Sequence, residues 1–452
     1  MEKPAAQQSI QEYLLNKALH RIITIGMVNQ IYNHPGYPRP NSVLELLDSG
    51  DIAWVLTATA LVMIMTPALG FFYGGLVRRK NLVSTIVQCF IIFAVVSLVW
   101  ALWGYSLAFA PTMNGIIGDL SAVGLNNVGA APNLKYAPTI PELLFFAFQL
   151  KFAAITPALI IGAFAERIRF KSLLIFIVLW ATFIYAPIAH WVWGIGGFLK
   201  VMGVLDFAGG LVVHISAGVS ALAAALVIGR RRGLDAKKEM RPNNVPFVIL
   251  GASILWFGWF GFNGGSALAA NELAVSALVV TNLAAAASGV SWMLVDWIRK
   301  GKPSAVGISV GAVCGMVAIT PASGFVAPMP AIIIGLVAGV LCNSVTNWRA
   351  RTRLDDSLDV FACHGVGSMW GVIATGLFAT TMINAAGSNG LFYGNPAQLG
   401  IQAFAVVIVA AFAFCGSYIL LRLINVFTPV RVSSKDEDAG LDMSQHGEEA
   451  YA

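Results

Sequence analysis

Of 452 residues, 58% are apolar and only 11% are charged, against about 25% charged in a typical soluble domain. No soluble fold has interior enough to hide that much apolar surface, so lipid is the solvent and the water-soluble classes are excluded. The net charge of +6 would suggest nucleic acid in a soluble chain; here the basic residues sit in short loops and mark membrane topology.

The first 50 residues carry Lys3, Lys17, Arg21 and Arg39. Their longest apolar run, Ile22 to Val28, is at the lower limit for a secretory signal. Ile10, Leu14, Leu15, Leu19, Ile22 and Ile25 recur at helical spacing, which equally suits an interfacial amphipathic helix. Beyond them, a transmembrane helix needs about 20 apolar residues. Segments 51–76, 83–110, 139–165, 172–190, 206–229, 245–264, 273–297, 304–321, 329–348, 360–382 and 398–424 qualify. The expected fold is therefore an all-α integral membrane protein of eleven spans. Alternate loops hold 18 basic residues, from Arg78 to Arg353, while the opposite loops hold only Lys135 and Lys200. The positive-inside rule places the first set in the cytoplasm, the start of the first span outside and the tail after residue 424 inside. Cys89, Cys314, Cys342, Cys363 and Cys415 all fall in apolar segments without ligand-like spacing and are read as small buried residues.

Spans one to five and six to ten look related. Gly70-Phe71-Phe72-Tyr73-Gly74-Gly75 in the first is echoed by Gly261-Phe262-Asn263-Gly264-Gly265 in the sixth. Asp206-Phe207 with His214 in the fifth is echoed by Asp359-Val360-Phe361 with His364 in the tenth. Five spans is an odd number, so such a repeat is inverted, with a site near the midplane between the halves. Paired glycines also serve plain helix packing.

Ionisable groups inside spans are costly without a partner or a task. His214 lies eight residues beyond Asp206, about 12 Å down the fifth span. A neutral imidazole there can both donate and accept a hydrogen bond. Depths counted from opposite faces leave roughly 10 Å between His214 and His364. Asp206 precedes Phe207-Ala208-Gly209-Gly210; as an N-cap it would hold free backbone donors, and the same carboxylate would favour a nearby cation. Trp193, Phe152, Phe262 and Ser266 could make a small-cation site, the cation–π term being about 0.5–2 kcal/mol; a Trp at that depth also suits the interfacial belt. Two histidines without a third ligand make neither a metal site nor a catalytic constellation, so no metal, cofactor or enzyme activity is expected.

Seven stretches carry a resemblance: MTPALGFFYGGLVRRKN, FAAITPALIIGAFAERIRF, PIAHWVWG, DFAGGLVVHISAG, WFGFNGGSALAANE, DVFACHGVGS and GLDMSQHGEEAY. In this order the chain resembles the ammonium transporter family over 51–452. The resemblance implies two inverted five-helix halves plus a final helix, assembled as a homotrimer in the cell's inner membrane with one pore per protomer. It implies that Trp193, Phe152 and Ser266 recruit ammonium, that Phe152 and Phe262 stack as a gate, and that His214 and His364 line the pore as paired imidazoles. Asp206 would support binding and deprotonation, and Trp259 would line the lumen. Residues 51–424 would be the membrane domain, after an extension at 1–50. The acidic tail 425–452, solvated by composition alone, would be ordered, pack under a neighbouring protomer and engage a PII-type signalling protein. Lys151, directly before the gate Phe152, departs from the expected apolar or small residue, and a helical offset of about 100° turns it away from the pore. Two rival functions share the fold: a non-conducting ammonium sensor and a passive ammonia channel.

Overall fold

The computed structural model describes residues 44–234 and 241–451; most of the N-terminal extension lies outside them. Helices dominate because lipid offers backbone groups no partners, so each span must satisfy its own. Among the described residues, ten helices are long and apolar enough to cross a membrane. They are α1 (Ser49–Leu76), α2 (Arg79–Phe109), α3 (Glu142–Phe164), α4 (Phe170–Val201), α5 (Gly210–Ile228), α6 (Val245–Gly265), α7 (Glu272–Lys300), α9 (Pro328–Arg349), α10 (Phe361–Phe378) and α11 (Pro396–Phe427). The shorter apolar α8 (Ala305–Ile319) completes the eleven expected spans. Their starts are written in the sequence: the side chains of Asp48, Asn244, Asn271 and Ser304 accept hydrogen bonds from first-turn N–H groups, the usual N-cap device.

The fold consists of two inverted five-helix halves plus α11. Equivalent helices meet between the halves: α1 runs along α6, and α5 crosses α10. Glycine makes both contacts possible. A Cβ on Gly251 would lie 2.4 Å from the Phe72 backbone, and one on Gly261 2.6 Å from Leu61 Cβ. At the second crossing a Cβ on Gly218 would lie 2.1 Å from the Gly365 backbone nitrogen. Helix packing is thus the first task of the paired glycines.

The repeat itself needs one correction. The counterpart of Asp206 is Asp356, not Asp359. Leu211 N–H donates to Asp206 Oδ2 at 2.8 Å, and Phe361 N–H donates to Asp356 Oδ2 at 2.7 Å, each bond reaching five residues forward. Asp359 instead pairs with Arg349 at 2.5 Å. The matching pattern is an aspartate eight residues before a histidine, and the Asp-x-Phe echo was a coincidence of composition.

Several of the loop residues that mark topology also tie the basic end together. Glu166 meets Arg78 at 2.6 Å and Arg231 at 3.6 Å, while Asp355 meets Arg231 at 2.8 Å and Arg167 at 3.9 Å. Burial pushes the Asp355 carboxyl up, but the Arg167 and Arg231 guanidinium groups outweigh it and hold the group below its ordinary value. Onto this layer packs the tail. Arg431 pairs with Glu437 at 2.8 Å, Glu437 accepts the Arg232 N–H, and Asp442 accepts the N–H groups of Val83 and Ser84 at 3.1 and 2.7 Å. The solvated tail that composition suggests is therefore an ordered one, because its carboxylates find backbone donors and arginines. Cys415 is exposed, whereas the other cysteines are buried.

The α5–α10 crossing gives a direct test. Gly218→Val should push the helices apart at a cost of about 1–3 kcal/mol or more, read as a lower melting midpoint in detergent, while a valine at the open position Gly400 should leave it unchanged.

Candidate functional site

Both histidine-bearing helices begin with a π-helical turn, Gly210–Ile215 and Phe361–Val366, a wide turn that often accompanies functional sites. Ahead of the first, Gly209 adopts φ 111°, folding the chain so that four successive N–H groups converge on one carboxylate. Gly209 and Gly210 donate to Asp206 Oδ1 at 2.9 and 2.6 Å, Leu211 and Val212 to Oδ2 at 2.8 and 3.3 Å. A side chain at 209 would also press on the Trp193 ring, 3.2 Å away. Trp193 is fixed in turn, its Nε1 donating to the Asp206 carbonyl at 2.9 Å.

From Trp193 a continuous line of rings descends into the protein. Phe152 lies 5.9 Å from Trp193, edge to face, and 4.3 Å from Phe262 at a tilt of 42°. Phe262 stacks on His214 at 5.8 Å, and His214 stacks on His364 at 5.3 Å. Trp259 flanks His214 at 5.5 Å and is anchored by donating to Thr320 Oγ1 at 3.0 Å. Ser266 donates its hydroxyl proton to the Phe262 carbonyl at 2.8 Å, which leaves its oxygen lone pairs to accept from a guest.

The histidines are neighbours, with 3.3 Å between their Nδ1 atoms. The depth count failed because it started each helix at the lipid surface. Both helices start in buried loops, Asp206 being 7% and Asp356 0% exposed, and the glycine crossing lets the two backbones touch. An Nδ1–Nδ1 bond needs one ring to donate and the other to accept, so the pair shares one proton. Nε2 of His214 is buried without a hydrogen-bond partner. The histidines border a cavity lined also by Trp259, Phe262 and aliphatic side chains such as Leu159 and Val313. The room open to the centre of a water-sized molecule there is about 10 Å³, close to what one such molecule needs. An apolar space walled by two imidazole rings can accept a small neutral hydrogen-bonding guest and disfavours a bare ion.

Known proteins share this sequence pattern and fold. A model described as the Ammonium Transporter Family matches residues 53–451. The chain belongs to that family. It is 48% identical to a Bacillus subtilis protein named ammonium transporter, over 90% of this chain and 99% of that one. The crystal structure of Saccharomyces cerevisiae Mep2 superposes with a TM-score of 0.84 at 38% identity, covering 91% of this chain and 95% of its own. A solved structure titled Sensor Amt Protein gives 0.80 at 30% identity, covering 88% and 98%. The relatives named ammonium transporters set the chain apart from enzymes, and the last match means that fold by itself does not separate transport from sensing.

In this member of the ammonium transporter family, Lys151 points away from the ring line. Its Nζ lies 5.1 Å from the centroid of Phe93 on α2, a cation–π contact on a face of α3 about 100° around from Phe152. Sequence reasoning missed Thr320 and Asp356. The first leaves no signal, since a buried threonine on an apolar helix is commonplace; the second was legible in the eight-residue spacing to His364. Asp206→Asn can keep only part of its fourfold cap, and each buried N–H left unpaired should cost about 1–3 kcal/mol, lowering the melting midpoint more than Ser266→Ala does.

Proposed function

We propose that the protein transports ammonium: it recruits the cation at Trp193, Phe152 and Ser266, removes its proton, and passes ammonia through the lumen between His214 and His364. The observation that carries this reading is the buried imidazole pair, bonded Nδ1 to Nδ1 at 3.3 Å beside an apolar cavity sized for one small molecule. A bare cation in such a place costs several kcal/mol at least. Ammonium can escape that cost by leaving a proton behind, whereas potassium and sodium cannot, so selectivity follows from chemistry and not from size. Phe152 and Phe262 form the gate that the guest parts. Asp206, whose two oxygens accept four N–H bonds, favours the cation above the gate, and Trp259 walls the lumen. The separated proton crosses by way of the imidazoles, which gives net charge movement and distinguishes this reading from a passive ammonia channel.

By the same reading the recruitment site faces outward, the basic loops and the tail 425–452 face the cytoplasm, and the protein spans the cell's inner membrane as a homotrimer with one lumen per protomer. The tail is regulatory; its ordered seat on the basic loops offers a surface to a PII-type signalling protein. The sensor reading keeps a place because of the structural match to a protein of that title.

Charge movement in proteoliposomes after an ammonium jump tests the proposal. Wild type should give a saturating current, with none for sodium. His214→Asp with His364→Asp should lose the selectivity, as a hydrated carboxylate pair replaces the apolar lumen. Lys151→Met should leave the current unchanged, since Lys151 lies over Phe93. Binding of ammonium without current in wild type would favour the sensor.

A further inference from the structure

The two halves are symmetric in backbone and unequal in hydrogen bonding. On one side of the imidazole pair, both oxygens of Asp206 are saturated by four N–H groups. Burial raises the proton affinity of this carboxyl and the four N–H bonds offset only part of that rise, but neither oxygen is left bare. On the other side, Asp356 caps α10 through Oδ2 alone. Its Oδ1 is buried with no hydrogen-bond partner, and the residue is wholly buried. An ionised carboxylate with one bare oxygen out of water is costly, and protonation of that oxygen relieves the cost.

The surroundings of Asp356 reinforce the contrast. Arg349, at the end of α9, favours the charged form of Asp356 from a distance, but its guanidinium is bonded to both oxygens of Asp359 at 2.5 and 3.2 Å. Asp355, next in the chain, is claimed by Arg231 and Arg167. The other titratable side chains near it are Tyr73 of α1 and Cys363 of α10. Burial, with the Asp359 carboxylate alongside, pushes the Asp356 carboxyl up to about 6. The position also connects with the lumen. Tyr73 donates to the carbonyl of Leu159, a residue that lines the cavity beside the histidines, and a Cβ on Gly162 would touch both Tyr73 and Val360. The lumen floor and the Asp356 cap thus share a wall.

We propose that Asp356 is the carboxyl that accepts the proton from the His364 side of the imidazole pair and releases it at the basic-loop end. The inference rests on the reading that the proton of ammonium crosses through the histidines. The balance is simple: ammonium gives ammonia and one proton, the imidazole pair carries that proton, and water relays it from the imidazolium to the Asp356 carboxylate. The resulting carboxylic acid returns it to solution at the far face. No other bond is made or broken. Asp206 and Asp356 then divide the labour, the saturated carboxylate attracting the cation and the half-saturated one handling the proton.

The test compares wild type, Asp356→Asn and Asp356→Glu in proteoliposomes, recording ammonium-evoked current together with the pH of the lumen that faces the basic loops. Asp356→Asn keeps the cap bond through its amide oxygen but cannot take a proton; its current should fall roughly tenfold or more, and Asp356→Glu should restore a large part of it. In wild type the current should decline as the pH on that face falls through about 6, where Asp356 stays protonated and cannot accept. Infrared difference spectra should show a protonated-carboxyl band rising over the same range, absent in Asp356→Asn. Wild-type current and pH profile in Asp356→Asn would overturn the proposal while leaving proton transfer through the histidines intact. Absence of current in wild type itself would overturn both. Should Asp356→Asn fail to fold, Asp356→Glu decides: a displaced pH midpoint and carboxyl band support the role, and an unmoved profile ends it.

Discussion

The contact on which the site depends is the touching of two backbones where Gly218 on α5 passes Gly365 on α10. In lipid no hydrophobic force drives helices together, so close van der Waals contact between small residues has to do it. Here that contact sets the separation of two side chains, one four residues before Gly218 and one immediately before Gly365. A methyl group at either glycine would part the helices, and the 3.3 Å between the imidazoles would go with them. The aromatic line from Trp193 to His364 and the narrow cavity are consequences of this one crossing.

Around it, buried polarity is handled in two ways. At the basic end, arginines and carboxylates pair in a layer that also receives the tail, so that charge is cancelled inside the protein and not left to water. In the site, polar groups are few and each is spent locally: Trp259 on Thr320, Ser266 on its own helix, Trp193 on the Asp206 carbonyl. Nε2 of His214 and Oδ1 of Asp356 are two of the thirteen buried side-chain atoms without a hydrogen-bond partner among the described residues.

Much of this was legible in the sequence. Length and apolar content placed eleven spans, because a transmembrane helix must be long enough and must satisfy its own backbone. Most fall within a few residues of the structure, but the fourth ended at 190 where the helix runs on to Val201. The asymmetry of Lys and Arg between loops identified one face of the molecule. The site residues came from a resemblance, and the structure brings Trp193, Phe152, Phe262, His214, His364 and Trp259 into one continuous line. What pattern could not supply was depth. The start of α5 is buried under Trp193, so counting turns from a lipid surface misplaced the histidines. The tail illustrates a second limit: Asp442 and Glu437 look like solvated acids until the donors of Ser84 and Arg232 are seen opposite them.

The size of the cavity has a kinetic corollary. With room for about one small molecule beside the histidines, two guests cannot pass each other. Traffic through such a space is single file, and tracer fluxes in the two directions cease to be independent: a molecule entering from one side must wait for the occupant to clear. On the proposed transport reading, the narrowness that disfavours hydrated ions would also impose an order of arrival and departure on whatever the lumen admits.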